Sequence, residues 1–445
     1  MNKKIKMVSR RQFVGASALG FAGVMIIPAV GCGRSGTYAK KEPGLVRLGF
    51  IGLGQQAMYL TDGFIRIPGV QVLAGCDVYG IKRTRFENRV NKFYSEAGKK
   101  IKVTTYEKYE DLLKRRDIDA IVIAVPDHAH AMIAIAALKA GKDVYLEKPM
   151  TLTIFEGQQL RKTVRETGRI LGIGSQQRSD ANFQHAVKLV QTGAIGTISL
   201  VNAYVGPPPK PYDLPEEPVP ADLNWDLWLG PLPADIHYNK ELNPIISLDP
   251  PKDEEYWAGW RWYWETGGGF TTDWGAHMFD VAQWGLGMDG SGPVEISPIG
   301  DGSEYISFKY ANGVVMTSEA FNEKKTRGVK FWGDKGWIEI SREHFSASDP
   351  ALKPPVSPAG ADNGPYETKI PHLLNFIEAL RKRIDPVVNV ETGHRSCTVC
   401  TLGNIAVRLK KTIKWDPASE TFVDDTDGAA TKFLHYDYRK PWKLV

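Results

Sequence analysis

Asp119-Ala120-Ile121-Val122-Ile123-Ala124-Val125 runs into Pro126-Asp127-His128-Ala129-His130, crosses an alanine-rich segment, and returns as Asp143-Val144-Tyr145-Leu146 to stop on Glu147-Lys148-Pro149. Two short apolar runs joined by a helical stretch read as a β-α-β unit with parallel strands. Such a unit sets two histidines and a lysine at the carboxyl ends of neighbouring strands, where open α/β sheets bind their ligands. Chemistry is therefore the leading expectation.

Working outward, Leu45 to Ile51 and Val70 to Cys76 read as further buried strands, so residues 44–150 make a first domain built on a doubly wound parallel sheet. Gly52-Leu53-Gly54-Gln55-Gln56-Ala57 follows its first strand and opens a helix, with alanine in the third small position. Glycines there admit a pyrophosphate, and the helix start offers free N–H donors. Asp77 ends the second strand, where an acid grips a ribose 2′-hydroxyl and repels a 2′-phosphate. NAD is the expected cofactor, with NADP the lesser alternative because Lys82 and Arg83 follow closely. Pro126, Asp127 and His130 are placed to reach cofactor phosphate or ribose, although His128 and His130 also suit a plain helix start. Lys148, fixed before a proline at the end of a buried strand, is a candidate for proton transfer.

Downstream, Ile154 to Glu166 and Phe183 to Thr192 read as helices around a short strand, Ile170 to Ile173. Longer alternating runs follow at 198–204, 305–310, 314–321, 329–332 and 337–340, the pattern of a mostly antiparallel sheet with one open face. Residues 151–371 form this second, α/β domain, interrupted by a proline- and tryptophan-rich insertion at 207–264. Residues 372–445 are expected to supply helices and a tail that pack back on the first domain. In Gly267-Gly268-Gly269-Phe270-Thr271-Thr272-Asp273-Trp274-Gly275-Ala276-His277, the Asp273 and His277 side chains share a helix face with Asp280. An aspartate can orient an imidazole for proton transfer. A structural histidine is the bland alternative, and no matching second cluster supports a metal. Eight of the twelve tryptophans fall between Trp225 and Trp284. Aromatic faces suit sugar C–H faces, and core packing explains them equally well.

The bulk properties exclude other classes. With 42% hydrophobic and 24% charged residues in 445, the chain reads as a globular enzyme of two or three domains, and a net charge of +5 implies no nucleic-acid partner. Ser9-Arg10-Arg11-Gln12-Phe13 and the apolar stretch to Val30 look like a twin-arginine export signal over residues 1–32, followed by a linker at 33–43. Ala29-Val30-Gly31-Cys32 is similar to a lipoprotein cleavage site, so Cys32 is either a lipid anchor or a bystander. The expected location is periplasmic, with membrane attachment only through the signal or that lipid. Cys76, Cys397 and Cys400 form no disulfide framework and read as buried small hydrophobes.

Taken in order, Gly52-x-Gly54, Asp77, Pro126-Asp127-x-x-His130, Glu147-Lys148-Pro149 and Asp273-x-Gly275-x-His277 resemble the glucose–fructose oxidoreductase, inositol dehydrogenase and rhizopine-catabolism family of NAD(P)-dependent oxidoreductases. The similarity runs over about residues 44–442, including Gly174-Ser175-Gln176-Gln177-Arg178 and Tyr438-Arg439-Lys440-Pro441-Trp442. It implies a Rossmann domain joined to an α/β domain whose open sheet mediates homo-oligomerisation. It also implies a catalytic group of Lys148, Asp273 and His277, in which His277 takes the hydroxyl proton, Asp273 holds its ring and Lys148 polarises the substrate oxygen. Gln55, Gln56 and Glu147 join the cofactor site on the same grounds, with Gln176 and Arg178 as contacts to nicotinamide or substrate.

Export adds a constraint, because a folded passenger outside the inner membrane has to carry its cofactor with it. The expected function is hydride transfer between a captive nicotinamide and a hydroxyl of a sugar, glycoside or polyol. The alternatives are a redox-neutral NAD-dependent glycosidase and a noncatalytic sugar-binding protein on an inherited fold.

Overall fold

The computed structural model describes residues 44–301, 304–354 and 370–444. The export signal, Cys32 and the linker lie outside the described residues.

Six strands, β1 (Val46–Ile51), β2 (Val70–Cys76), β3 (Thr104–Tyr106), β4 (Ala120–Ile123), β5 (Asp143–Leu146) and β6 (Leu171–Ile173), form a parallel sheet in the order β3-β2-β1-β4-β5-β6. Its strands read as unbroken apolar runs because both faces are covered. Leu48, Phe50, Val122 and Tyr145 pack on one side with Phe64 and Phe86, while Ile51, Ile121, Ile123, Val144 and Leu146 pack on the other with Ile133 and Leu138. The period-two alternation of the strands thus serves two cores at once.

β6 corrects the domain boundary. The strand expected at Ile170–Ile173 belongs to the first sheet, pairing in parallel with β5 through Val144↔Leu171, Tyr145↔Gly172 and Leu146↔Ile173. The helix Ile154–Thr167 is the crossover between them, started by a reciprocal capping box of Thr153 and Glu156. Short strand length and a glycine at its centre hid this membership in the sequence.

The second sheet adds β7 (Ile198–Tyr204), β10 (Glu295–Ile299), β11 (Tyr305–Lys309), β12 (Val315–Thr317), β13 (Gly328–Gly333), β14 (Gly336–Ser341), β15 (Phe345–Ala347), β16 (Ile413–Asp416) and β17 (Thr421–Val423), after a small hairpin of β8 (Ser247–Leu248) and β9 (Pro251–Lys252). Its order is β15-β14-β13-β7-β12-β11-β10-β16-β17, antiparallel except for the β7–β12 pair. Val201, Ala203, Ile306, Phe308, Val329 and Phe331 point to one face and pack against Met278, Phe279 and Val281 of the helix Gly275–Gly285. The α/β architecture is as the sequence implied. β16 and β17 were not anticipated, being short and half polar.

The two C-terminal helices divide their loyalties. Ile370–Lys382 packs on the first domain through Leu373, Phe376 and Ile377. Val390–Leu409 departs from the expectation: Leu402, Ile405 and Ala406 join the core of the second sheet, and Cys397 alone of its residues below position 398, apart from Val390, reaches the first-domain cluster. It is buried nearly all round, polar residues such as His394, Ser396 and Asn404 included, so it lies between both domains rather than on one. The insertion has a small core of its own, with Trp228, Leu229, Ile236, Leu242, Trp260 and Tyr263. Among the described residues no helix is long and apolar enough to cross a membrane.

Candidate active site

The first landmark is the turn after β1. Gly52 has φ +82°, and a Cβ there would sit 2.5 Å from the Ala124 carbonyl oxygen, so only glycine lets β1 and β4 end side by side. The carboxylate of Asp77 ties this turn to β2, with Oδ2 accepting from the Leu53 N–H at 2.7 Å and Oδ1 from the Tyr79 N–H at 2.9 Å. The helix Gln55–Phe64 starts after Gly54 without a side-chain cap, leaving its first N–H groups for a ligand. A cavity of about 480 Å³ opens here, lined by Gly52, Gly54, Gln55, Gln56, Asp77, Pro126, Glu147, Lys148 and Gln176. A tight glycine cradle, free helix-start donors and an acid lining the cavity at the end of β2 fit a nicotinamide dinucleotide.

The same cavity reaches Asp273 and His277 from the second domain. Lys148 Nζ donates to Asp273 Oδ1 at 2.6 Å and to the Asp273 carbonyl at 3.1 Å, joining the end of β5 to the segment before the helix Gly275–Gly285. Burial alone raises the Asp273 carboxyl, but the charges of Lys148 and Arg261 outweigh it and hold the group below the usual carboxylate range. Arg261 Nε lies 3.5 Å from the same Oδ1.

The imidazole of His277 has a different neighbour from the one expected. Gln177 Nε2 donates to His277 Nδ1 at 2.7 Å, while Gln177 Oε1 accepts from Arg342 Nε and Nη2 at 2.9 and 3.1 Å. The guanidinium offers only donors, which fixes the amide and presents its NH₂ to the ring. Asp273 Oδ1 is engaged by Lys148 and Arg261, so the role of orienting Nδ1 passes to Gln177. Sequence reasoning missed Gln177 because an uncharged amide carries no titration signature; its one signal was its place after a strand of the first sheet.

Three other expected contacts are placed elsewhere. Arg178 does not line the cavity: its guanidinium is buried in a double pair with Asp280 and Asp289, at 2.7–2.9 Å, and stacks on Trp284. Two carboxylates claim its donors, which is why it holds the helix Gly275–Gly285 instead of a ligand. Asp280 is consumed in the same network, accepting also from Ser396 at 2.5 Å. His130 is pinned between the Pro149 carbonyl at 2.7 Å and the Val125 carbonyl at 3.0 Å and does not line the cavity. Burial pushes its pKa down to about 4, so it stays neutral and one of the two contacts lacks a proton. Asp127 is likewise buried off the cavity, and desolvation raises its carboxyl well above the ordinary range against the pull of Lys148 and Arg261. His128 bonds the Trp228 carbonyl at 2.9 Å and packs on that indole, anchoring the insertion.

The insertion roofs the cleft. Glu254 forms hydrogen bonds to Arg85 at 2.5 and 3.1 Å and lies 3.4 Å from Lys82, whose Nζ also donates to Asn243 at 2.7 Å. Arg85 in turn donates to the Leu53 carbonyl at 2.8 Å, so the insertion is stapled to the glycine turn. Lys82 is thereby engaged by Glu254 and Asn243, and Arg83 donates to the Asp77 main-chain oxygen at 2.7 Å. Trp228, Trp257, Trp260, Trp262 and Trp274 line the cavity. Among the described residues no group of three or more His, Cys, Asp or Glu side chains is arranged to hold a metal.

The NAD-binding Rossmann-fold domain of the Gfo/Idh/MocA oxidoreductase family matches residues 46–175, and that family's C-terminal α/β domain matches residues 210–444. The chain belongs to this oxidoreductase family. Its first domain is therefore an NAD-binding domain. An inositol 2-dehydrogenase of Salmonella typhimurium is 29% identical over 162 residues, 36% of this chain and 44% of that protein. A glycosyl hydrolase family 109 protein of Shewanella baltica is 31% identical over 176 residues, 36% of this chain and 38% of that protein. The chain thus aligns with less than half the length of these curated relatives. Among solved structures, the WlbA dehydrogenase of Bordetella pertussis in complex with NADH and UDP-GlcNAcA superposes with a TM-score of 0.58 at 18% identity, covering 84% of this chain and 98% of that one. An aldose-aldose oxidoreductase of Caulobacter crescentus complexed with glycerol gives 0.56 at 19% identity, covering 83% and 99%. At such identities these two show a shared fold.

Proposed function

We propose that this family member is an exported oxidoreductase that transfers hydride between a nicotinamide dinucleotide it keeps bound and a carbinol carbon of a sugar, glycoside or polyol. The observation that carries the reading is the 2.6 Å contact between Lys148 and Asp273, made across the two domains inside the cavity that begins at the glycine turn. When bound, the nicotinamide supplies the hydride donor and acceptor. The chain's own residues handle the proton: in reduction Lys148 gives one to the carbonyl oxygen as hydride reaches the carbon, and in oxidation the amine takes it back. Asp273 holds that amine in place. Because Gln177 donates to Nδ1, the neutral ring of His277 carries its proton on Nε2, so we assign it the part of donor to the substrate oxygen. The paired Asp77 carboxylate supports NAD over NADP, since a 2′-phosphate would meet its charge.

Export by the twin-arginine route to the periplasm, with or without a lipid on Cys32, rests on the N-terminal sequence. Self-association through the open face of the nine-stranded sheet is part of the same proposal. The roofed cleft supports a captive cofactor. Purifying the protein without added nucleotide and finding about one NAD per chain by absorbance and mass is the expected result; an empty, freely exchanging site would refute captivity. Reduction of that bound NAD by a sugar panel then tests the reaction.

The family 109 relatives favour a second reading, a redox-neutral glycosidase on the same residues. Release of nitrophenol from aryl glycosides without accumulation of NADH would select it.

A further inference from the structure

Charge in the cavity is segregated. Toward the glycine turn each lining cation has an acid nearby, as with Lys82 and Glu254. Around Trp274, four cations, Lys148, Arg261, Arg327 and Arg342, line the wall against the single carboxylate of Asp273, with Glu147 on the first-domain side. Asp273 is already shared by Lys148 and Arg261. We infer that the substrate is an anionic sugar, whose carboxylate or phosphate is held by Arg327 and Arg342 beside Trp274. This deepens the proposed hydride-transfer reading and rests on it.

The two arginines sit on adjoining strand ends, Arg327 just before β13 and Arg342 just after β14, where Gly328 pairs with Ser341. The Arg327 guanidinium stands 4.9 Å from the Trp274 ring centre and 4.5 Å from that of Phe270; the Arg342 guanidinium stands 4.5 Å from Trp274. Trp274 is the residue after Asp273, and its ring lies edge-on to His277 with centroids 6.0 Å apart. The anion site is therefore next to the reacting centre. Among the described residues Arg327 has no acidic partner and Arg342 bonds only Gln177, so both exposed guanidinium groups line the cavity without a carboxylate bound to them. Desolvation at the cavity wall and the neighbouring Arg327 charge lower the Arg342 pKa, against the opposite pull of Asp273, Glu147 and Glu343. Both arginines are exposed to solvent, so they tolerate each other without a ligand, but the local excess of positive charge at the cavity wall draws an anion in preference to a neutral sugar. Guanidinium forks match a carboxylate or phosphate in two parallel bonds. A pyrophosphate of the cofactor would not answer this charge, because the donors that suit it are at Gly52, Gly54 and Gln55, on the other domain.

The test compares glucuronate, glucose 6-phosphate and glucose on the holoenzyme, reading binding by tryptophan fluorescence and reduction of bound nicotinamide by its near-ultraviolet absorbance. At least one anion is expected to bind about tenfold or more tighter than glucose, an advantage reduced by salt and lost in Arg327→Ala. Arg327→Glu is expected to reverse the preference, and a parental thermal melt shows either variant to be folded. The better anion tells carboxylate from phosphate. Equal binding of glucose, no binding of either anion, or an anion preference untouched by both variants would overturn the inference. Tight anion binding without reduction would uphold it and sink the hydride-transfer reading; reduction by glucose alone would do the reverse.

Discussion

Lys148 and Asp273 are not equivalent halves of a pair, and the difference predicts opposite consequences for two conservative substitutions. Asp273 is touched by two cations, Lys148 at 2.6 Å and Arg261 at 3.5 Å, whereas Asp273 is the acid that meets Lys148. Both side chains of the pair are 15% exposed, so neither is rescued by bulk water. Lys148→Met keeps the stem volume and leaves Asp273 paired to Arg261, which costs about 1 kcal/mol of stability. Asp273→Asn strands an ammonium facing a guanidinium, which costs about 3 kcal/mol, the low end for a broken buried pair because the site opens to a cavity. At roughly 2 °C per kcal/mol for a chain of this size, the melting temperatures fall by about 2 and about 6 °C. Catalysis runs the other way. Lys148→Met removes the proton carrier and lowers the rate of nicotinamide reduction by ~10²–10⁴, or about 3–5 kcal/mol of barrier. Thermal melts and stopped-flow absorbance measure both. A Lys148→Met enzyme within about threefold of the parental rate, or one less stable than Asp273→Asn, would refute the reasoning.

Other expectations are separable. Gly52→Ala drives a Cβ to 2.5 Å from the Ala124 oxygen at φ +82°, so the variant should cost more than about 2 kcal/mol and emerge without NAD, read by mass spectrometry. Glu254→Ala frees Arg85 and Lys82 and unfastens the insertion; NAD should then be lost on dialysis at least about tenfold faster while the fold persists by circular dichroism. Glu156 is pushed up to about 7 by burial, against hydrogen bonds from Tyr438, Thr153 and Leu152. Its folded value exceeds the ordinary 4.5, so its contribution to stability is full below about pH 4.5 and declines by about 3 kcal/mol as pH rises through 7. Glu156→Gln should flatten that decline in urea titrations from pH 5 to 8.

The parallel sheet was legible because successive residues such as Ile121 and Val122 are buried on opposite faces, a demand that only apolar runs meet. Gly52, Asp77 and Lys148 were legible because backbone approach and charge at strand ends leave few residue choices. What could not be read was partnership. Arg178 and Gln176 lie two residues apart, yet Asp280 and Asp289 draw the arginine into a buried network while the glutamine faces the cavity. His130 looked like a cofactor ligand and proved to be clamped by two carbonyls of its own crossover. Gln177, Glu254, Arg327 and Arg342 act through neighbours 53 to 172 positions away, and linear spacing contains no trace of such pairings. The strand at Leu171–Ile173 was seen but assigned to the wrong sheet, since three apolar residues carry no information about which edge they join.

Central to the account is direct passage of hydride between a carbohydrate carbon and a bound nicotinamide in the cavity that Lys148 lines. Incubating the holoenzyme with carbon-deuterated glucose and with carbon-deuterated glucuronate, then extracting the dinucleotide for mass analysis, tests this most directly. The account predicts one deuteron on the nicotinamide ring from at least one of the two, abolished in Lys148→Met. A ring that stays wholly protonated while the sugar is nevertheless consumed would contradict it.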